Sequence, residues 1–318
     1  MAAVVTNLNS IIASTLAKYG KTLHDNVFKA SPLLYWLKEG GRQKPVEGGL
    51  QIIEPIEFGT NSTFDWRHPK ATIPLVEQDP FTYAAFDWKY IDGAIVIFWD
   101  DERKNRGQAQ IFDYAEKLIQ NAEKTLKDKL CSGVYADGSP ATELDGLEAI
   151  VASSGTYGGL SRTTYPDWAS IVLATSEAYT IDGGTDGGLR NLYDSCPGDG
   201  GDDAVDLIIT TKTLWQKHNA KLGAQQRFED PKMAEAGYRN LMFDNAPIVW
   251  DRNCPTGTVY ALNSNHLNLR PDSLCAESFI KTESHQAENQ LARSILLVWT
   301  GNLTCTNPRF QGKMTGKS

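Results

Sequence analysis

Two clusters rich in glycine and aspartate carry the densest oxygen chemistry of the chain, IDGGTDGGL (181–189) and CPGDGGDDAVD (196–206). Asp182, Asp186, Asp199, Asp202 and Asp203 could offer carboxylates to calcium, a hard cation that prefers oxygen ligands. Neither cluster has the alternating D-x-D-x-D-G order with a distal glutamate, so both read as surface loops whose glycines take turns that other residues resist. The histidines His24, His68, His218, His266 and His285 are scattered, without HExxH, HxH or a mixed Cys/His ligand spacing. Each reads as a surface or locally hydrogen-bonded imidazole. No GxSxG elbow, Walker loop, GxGxxG or kinase motif is present. Cys131, Cys196, Cys254, Cys275 and Cys305 form an odd set without a CxxC pair, which disfavours a disulfide framework or structural zinc and points to a reducing compartment. No catalytic, cofactor-binding or metal-ligating residue is assigned, and the chain reads as a non-enzyme without a cofactor.

Other apparent signals dissolve in the same way. Asn61-Ser62-Thr63 and Asn302-Leu303-Thr304 match the glycosylation sequon. The start of the chain has no basic n-region and no adequate apolar h-region, so no secretion signal is expected and the sequons read as chance matches. Trp36, Trp66, Trp88, Trp99, Trp168, Trp215, Trp250 and Trp299 could form a ligand platform, but they lie within strand and helix patterns, which favours core or interface packing.

The whole chain bounds what these residues can serve. At 318 residues it has room for about two domains, or one large domain with extensions. With 41% hydrophobic and 22% charged residues it is too apolar to be disordered. No window approaches the roughly 18 apolar residues of a membrane span. A net charge of −8 disfavours a protein whose main task is gripping nucleic acid, because such binding draws on cationic side chains displacing counterions.

The elements that must position the chemistry follow from periodicity. Leu8, Ile11, Ile12, Leu16 and Tyr19 have helical spacing within an N-terminal arm, and Ser31-Pro32 to Gly40-Gly41 bracket a second short helix. Apolar residues this near a terminus need cover from a distant part of the fold or another subunit. Runs at LQIIEPIEFG, TIPLVEQ, FTYAAFDW and YIDGAIVIFW predict strands over 49–99, including a long two-stranded excursion with a loose polar tip around Phe64 and Trp66. Such a ribbon cannot bury both faces alone. Ile111, Ala115, Leu118, Ile119, Ala122, Leu126 and Leu130 form one stripe of a helix of about 30 residues over 101–133, capped by Asp100 or Asp101 and spanning on the order of 45 Å. A body that holds such a helix is expected to be elongated or flat. The middle of the chain reads as a self-contained α+β domain: a buried strand at 205–211, a helix at 211–222, a hairpin over 239–251 turning near Asp244-Asn245, and a strand at 258–263. Strand patterns return over 277–310. A body with two appendages that cannot cover their own apolar residues argues for self-assembly through large, repeated contacts.

This order of elements, with GTYGGLSRTTYPDW (155–168), DLIITTKTLWQKH (206–218), 233–263 and FKASPLLYWLKEGG (28–41), resembles the major capsid proteins of tailed bacteriophages, the Hong Kong 97-type coat fold. The resemblance spans nearly the whole chain. It implies an α+β fold with an N-terminal arm (1–45), an extended β-loop (46–98) with its tip near Trp66–Pro74, a spine helix (99–139), an axial domain (140–264) and returning strands of a peripheral domain with the C-terminal tail (265–318). It further implies a coat subunit that assembles through arm and loop exchange into pentamers and hexamers of an icosahedral shell around double-stranded DNA, which it contacts weakly and non-specifically. The expected setting is the virion, assembled in the host cytoplasm, with a portal, possible decoration protein and, since the arm starts at residue 1, a separate scaffolding protein; no membrane is involved. One relative seals its shell with Lys–Asn isopeptide bonds. Lys70 is the one position near the loop tip worth considering for that chemistry, which is not carried over. Two alternatives share parts of this reading: an encapsulin-like nanocompartment shell with the same fold, and a soluble calcium- or carbohydrate-binding protein using the Asp-rich loops.

Overall fold

The structure, a computed structural model, describes residues 31–59, 63–72, 75–77, 79–98, 108–174, 178–181, 188–197, 204–222, 231–235, 237–276, 280–281, 285–286 and 292–317. Side chains at 108–116, 280–281, 285–286 and 293 fall outside that description. Its helices are α1 (Pro32–Glu39), α2 (Gln108–Gly133), α3 (Leu147–Ile150), α4 (Leu189–Ser195), α5 (Lys212–Lys221) and α6 (Pro231–Glu235). The hairpin strands β1 (Ile52–Glu57) and β2 (Phe81–Phe86) form the ribbon, and β4 (Thr156–Tyr157) pairs with β5 (Leu160–Ser161).

The longest ladder is built around a single strand. β14 (Ala292–Cys305) pairs antiparallel with β3 (Lys89–Phe98) over ten residues of each. Its other edge takes β11 (Leu267–Pro271), β12 (Ile280–Lys281) and β13 (His285–Gln286). Ile95, Ile97, Leu297 and Trp299 lie in the core formed with Ile119, Leu126 and Leu130 of α2. At 1.5 Å per residue the 26-residue α2 is about 39 Å long, close to the length expected from its stripe. The expected caps at Asp100 or Asp101 and the first part of the expected helix lie outside the described residues.

The second sheet has six strands in the order β6 (Ile171–Ala174), β15 (Gly312–Thr315), β10 (Val259–Leu262), β7 (Leu207–Thr210), β9 (Ala246–Trp250), β8 (Asn240–Phe243). β7 and β10 are buried at every position, as expected of strands covered on both faces. Leu207, Ile209 and Leu262 face the core shared with α2. Ile208, Val259 and Ala261 face a second core closed by Leu189 and Leu192 of α4 and Leu214 of α5. The hairpin β8–β9 turns at Asp244 and Asn245, where the sequence places it, with Asp244 in the left-handed region at φ 49. β15 is inserted between β6 and β10, so this sheet takes one strand from outside 140–264. The segment after residue 264 therefore serves both sheets.

One reading needs correction. TIPLVEQ forms no strand at its described residues 72 and 75–77. For the second half of the arm, the expected cover comes from a distant part of the fold. Leu33, Leu34 and Leu37 of α1 are fully buried in the main core. Ser31 Oγ donates to Asp251 (2.9 Å), which also accepts from Tyr135 at the end of α2 (2.8 Å). Gly41, at φ +66, lets the chain leave α1 so that Arg42 N bonds to Leu37 O (2.8 Å). Residues 42–46 then run along β11, with Lys44 N on Leu269 O and Val46 N on Pro271 O, both at 2.9 Å. Chain segments more than 200 residues apart are joined here, which periodicity alone cannot reveal. The helix expected around Leu8–Tyr19 lies outside the described residues.

Candidate assembly surface

The ribbon has two chemically different faces. Its register opposes Ile52 to Phe86, Glu54 to Ala84 and Ile56 to Thr82 on one face, and Ile53 to Ala85, Pro55 to Tyr83 and Glu57 to Phe81 on the other. Ile52, Glu54, Ile56, Ala84 and Phe86 are buried against the body. The opposite face exposes Ile53, Phe81 and Tyr83.

Glu54 is the charged residue in this inner row, and a carboxylate facing a core requires hydrogen-bonded partners. Arg270 of β11 supplies a fork, with Nε at 2.6 Å and Nη2 at 2.8 Å from the two carboxylate oxygens. Thr304 Oγ1 of β14 donates a third bond at 2.9 Å. Planar, paired donation of this kind fixes orientation as well as charge. The returning leg has its own tie. Asn302 Nδ2 donates to Asp87 O (3.0 Å) and to Asp145 (2.7 Å), and Asp145 in turn lies 3.6 Å from the buried Lys89 ammonium.

The hairpin within GTYGGLSRTTYPDW closes the ribbon's inner face. Ala85 N donates to Gly158 O (3.0 Å), and Phe86 packs on Tyr157 with ring centroids 5.0 Å apart. A Cβ on Gly158 would come within 2.8 Å of both Ala84 Cβ and Phe86 Cζ, and the backbone there is left-handed at φ +58. Only glycine satisfies both conditions. Trp168 Nε1 donates to Tyr157 O (3.0 Å), and the Tyr157 hydroxyl oxygen accepts from Cys305 N (3.0 Å).

Beyond Glu57 the ribbon's described residues leave the ladder, and the tip carries large apolar groups that are almost fully exposed. Trp66 is 100% exposed, Leu75 95% and Phe64 85%, with Val76 also uncovered. Leu50, Ile53, Phe81 and Tyr83 are exposed as well. Uncovered apolar groups that cluster on a surface are a feature of sites that meet another molecule.

Asp182, Asp186, Asp199, Asp202, Asp203, His24, Asn61 and Trp99 lie outside the described residues, as does the His285 side chain. Among the described residues no three His, Cys, Asp or Glu side chains cluster as a metal site. His68 and Lys70 are exposed on the ribbon tip. His218 is buried, its Nδ1 2.8 Å from the Tyr179 hydroxyl; desolvation, aided by Lys221, pushes its pKa down to about 4. His266 stacks on Phe310 with centroids 4.5 Å apart. All five cysteine side chains are buried. Burial pushes the Cys131, Cys196 and Cys305 thiols up to about 12, so the nucleophilic thiolate is scarce at neutral pH. Asn302 is fully buried, so its sequon is structural. Trp168 and Trp299 are core residues, whereas Trp66 is not. Sequence reasoning missed Glu54, Arg270 and Thr304; the signal was a carboxylate alternating with Ile52 and Ile56 on one strand face.

No protein-family model matches the sequence, and no curated protein matches it. Solved structures do. The cyanophage A-1(L) capsid asymmetric unit aligns with TM-score 0.63 at 17% identity, covering 88% of this chain and 92% of that one. The capsid of an empty GTA particle gives TM-score 0.59 at 8% identity over 89% of each chain. The holo-SrpI encapsulin complex from Synechococcus elongatus PCC 7942 gives 0.57 at 10% identity, covering 89% of this chain and 87% of that one. The chain has the Hong Kong 97-type fold of phage major capsid proteins: mixed helix and sheet, with a ribbon anchored at its base. Among the described residues no helix is long and apolar enough to cross a membrane.

Proposed function

We propose that the chain is the coat subunit of a tailed-phage capsid, a structural protein that self-assembles through its ribbon and N-terminal arm into an icosahedral shell around double-stranded DNA. The observation that carries this reading is the division of the ribbon into a clamped inner face and an uncovered apolar outer face and tip, on a fold otherwise found in shells. An anchored base with a free apolar end suits an element whose cover comes from sister subunits. Sister subunits in pentamers and hexamers, a scaffolding protein, a portal and a decoration protein are the partners proposed for this role, and the virion is its place, with assembly in the host cytoplasm. The net charge of −8 suits a container that must not hold its DNA tightly.

Expressed protein, alone or with a scaffold, should form megadalton particles of uniform diameter by light scattering and electron microscopy. A sharp monomer at every concentration, with and without scaffold, would refute the proposal. The similarity to an encapsulin supports a second reading, a nanocompartment holding a cargo enzyme. Particles purified from the native source separate the two: double-stranded DNA inside supports the capsid, and a stoichiometric packaged enzyme supports the compartment.

A further inference from the structure

A cleft of about 660 Å³ opens where the ribbon leaves the body, between Glu57–Phe58 and the two turns at 165–168 and 308–310. That volume lies within the range of pockets that enclose a small organic molecule. Its walls are held in place by the chain itself. Pro166 and Pro308 open the two turns with a fixed φ, and Arg309 Nη1 ties one turn to the other through Asp167 (2.5 Å). On the ribbon side Phe58 N donates to Pro80 O (3.1 Å). Aromatic rings line the cleft in two pairs: Phe58 edge-on to Tyr165 with centroids 4.9 Å apart, and His266 stacked on Phe310 at 4.5 Å. The charges at the rim are few and unequal. Arg309 and Asp167 neutralise each other, whereas the exposed Glu57 carboxylate has no ion-pair partner among the described residues. We propose that this cleft binds a small aromatic amine, with its ring against the two aromatic pairs and its ammonium on Glu57.

Shape and charge select this class together. A flat apolar ring gains stacked or edge-on contacts with ring walls beyond what area burial alone gives. The faces of those walls are electronegative, so a cation beside them is attracted and an anion is repelled. Glu57 adds a full negative charge at the same rim, and the one cation there, Arg309, is already committed to Asp167. An aromatic acid would therefore meet an unpaired carboxylate, and an amine would meet its counter-ion. Glu57 and Phe58 belong to the ribbon while Tyr165 and Phe310 belong to the body, so a bound amine ties one to the other. The inference concerns the single chain and does not rest on the shell reading.

The test titrates the full, dissociated chain at neutral pH with tryptamine and with indole-3-propionate, which share a ring and differ in the sign of their charge. Saturation-transfer NMR and calorimetry follow the binding. Tryptamine should bind about tenfold more tightly, since ring faces and carboxylate both favour the cation. Glu57→Gln should bring the two probes within about threefold of each other. Phe58→Ala should weaken tryptamine by about fivefold or more through the lost ring contact. Both positions are exposed, so the urea midpoint should stay in place. Should Phe58→Ala lower it, Glu57→Gln, which keeps shape and volume, decides alone. Equal affinities, tighter binding of the acid, no saturable binding of tryptamine, or a preference that survives Glu57→Gln intact would overturn the site.

Discussion

Replacing Glu54 by Gln removes one charge from the base of the ribbon while keeping shape and volume. The variant leaves the Arg270 guanidinium, whose side chain is only 18% exposed, without its carboxylate, and weakens two charge-assisted hydrogen bonds of 2.6 and 2.8 Å. Breaking one side of a buried pair costs roughly 3–5 kcal/mol, and the residual exposure of Arg270 places this case near the lower end, at about 3 kcal/mol. That is about a hundredfold in the unfolding equilibrium. Urea unfolding of the dissociated chain followed by tryptophan fluorescence should show it, and amide exchange should show β1 and β2 losing protection ahead of the sheets. Glu54→Leu combined with Arg270→Met should recover most of the loss, because an apolar pair needs no desolvation of charge. A change below about 0.5 kcal/mol in Glu54→Gln, a value typical of exposed pairs, or a double variant worse than either single one, would refute the clamp as the element that fixes the ribbon.

Further outcomes follow from the same packing. Gly158→Ala should cost about 3 kcal/mol, combining overpacking against Ala84 and Phe86 with left-handed strain. Gly159→Ala, at φ +80 but with nothing within 4 Å, should cost only about 1–2 kcal/mol, so the difference in urea midpoints isolates the packing. His218 titrates near 4 in the folded chain against 6.5 unfolded, so the unfolded chain takes up the proton first. Its contribution is complete above about pH 6.5 and is lost as pH falls toward 4; His218→Gln should flatten that part of the stability profile measured by urea titration. Ellman's reagent at neutral pH should leave the native chain almost unlabelled and count all five thiols once it is unfolded. Rapid labelling of the folded chain would contradict the burial of these residues.

Local pattern carried a large part of this architecture into the sequence. The stripe of Ile119, Leu126 and Leu130 marked the long helix, and Asp244-Asn245 marked the turn of a hairpin, because both are decided by neighbours in the chain. The ribbon's two strands are legible as runs of β-branched and aromatic residues, and the structure leaves Ile53, Phe81 and Tyr83 exposed on one face. What periodicity could not show was pairing at a distance. Glu54 and Arg270 are 216 residues apart, and Ser31 and Asp251 are 220 apart. The run 31–46 looked like a loose arm because its partners, β11 and the core above α2, are written elsewhere. β15 falls beyond the strand patterns of 277–310, in the segment expected as the C-terminal tail, and its parallel pairing to β6 places it in the other sheet. The tip is legible as polar sequence with embedded aromatics; the cleft beside Phe58 and Tyr165 is not, since it is lined from six separate stretches of chain.

The ten-residue ladder between β3 and β14 has a mechanical meaning. Its hydrogen bonds run crosswise to both strands, so tension drawn along them loads every rung together and none in sequence. β3 leads toward the long helix and β14 toward β15, an inner strand of the second sheet, so this pair lies on the path of chain between the two sheets. Force passed along these strands is therefore shared across the whole ladder and not borne by one end of it.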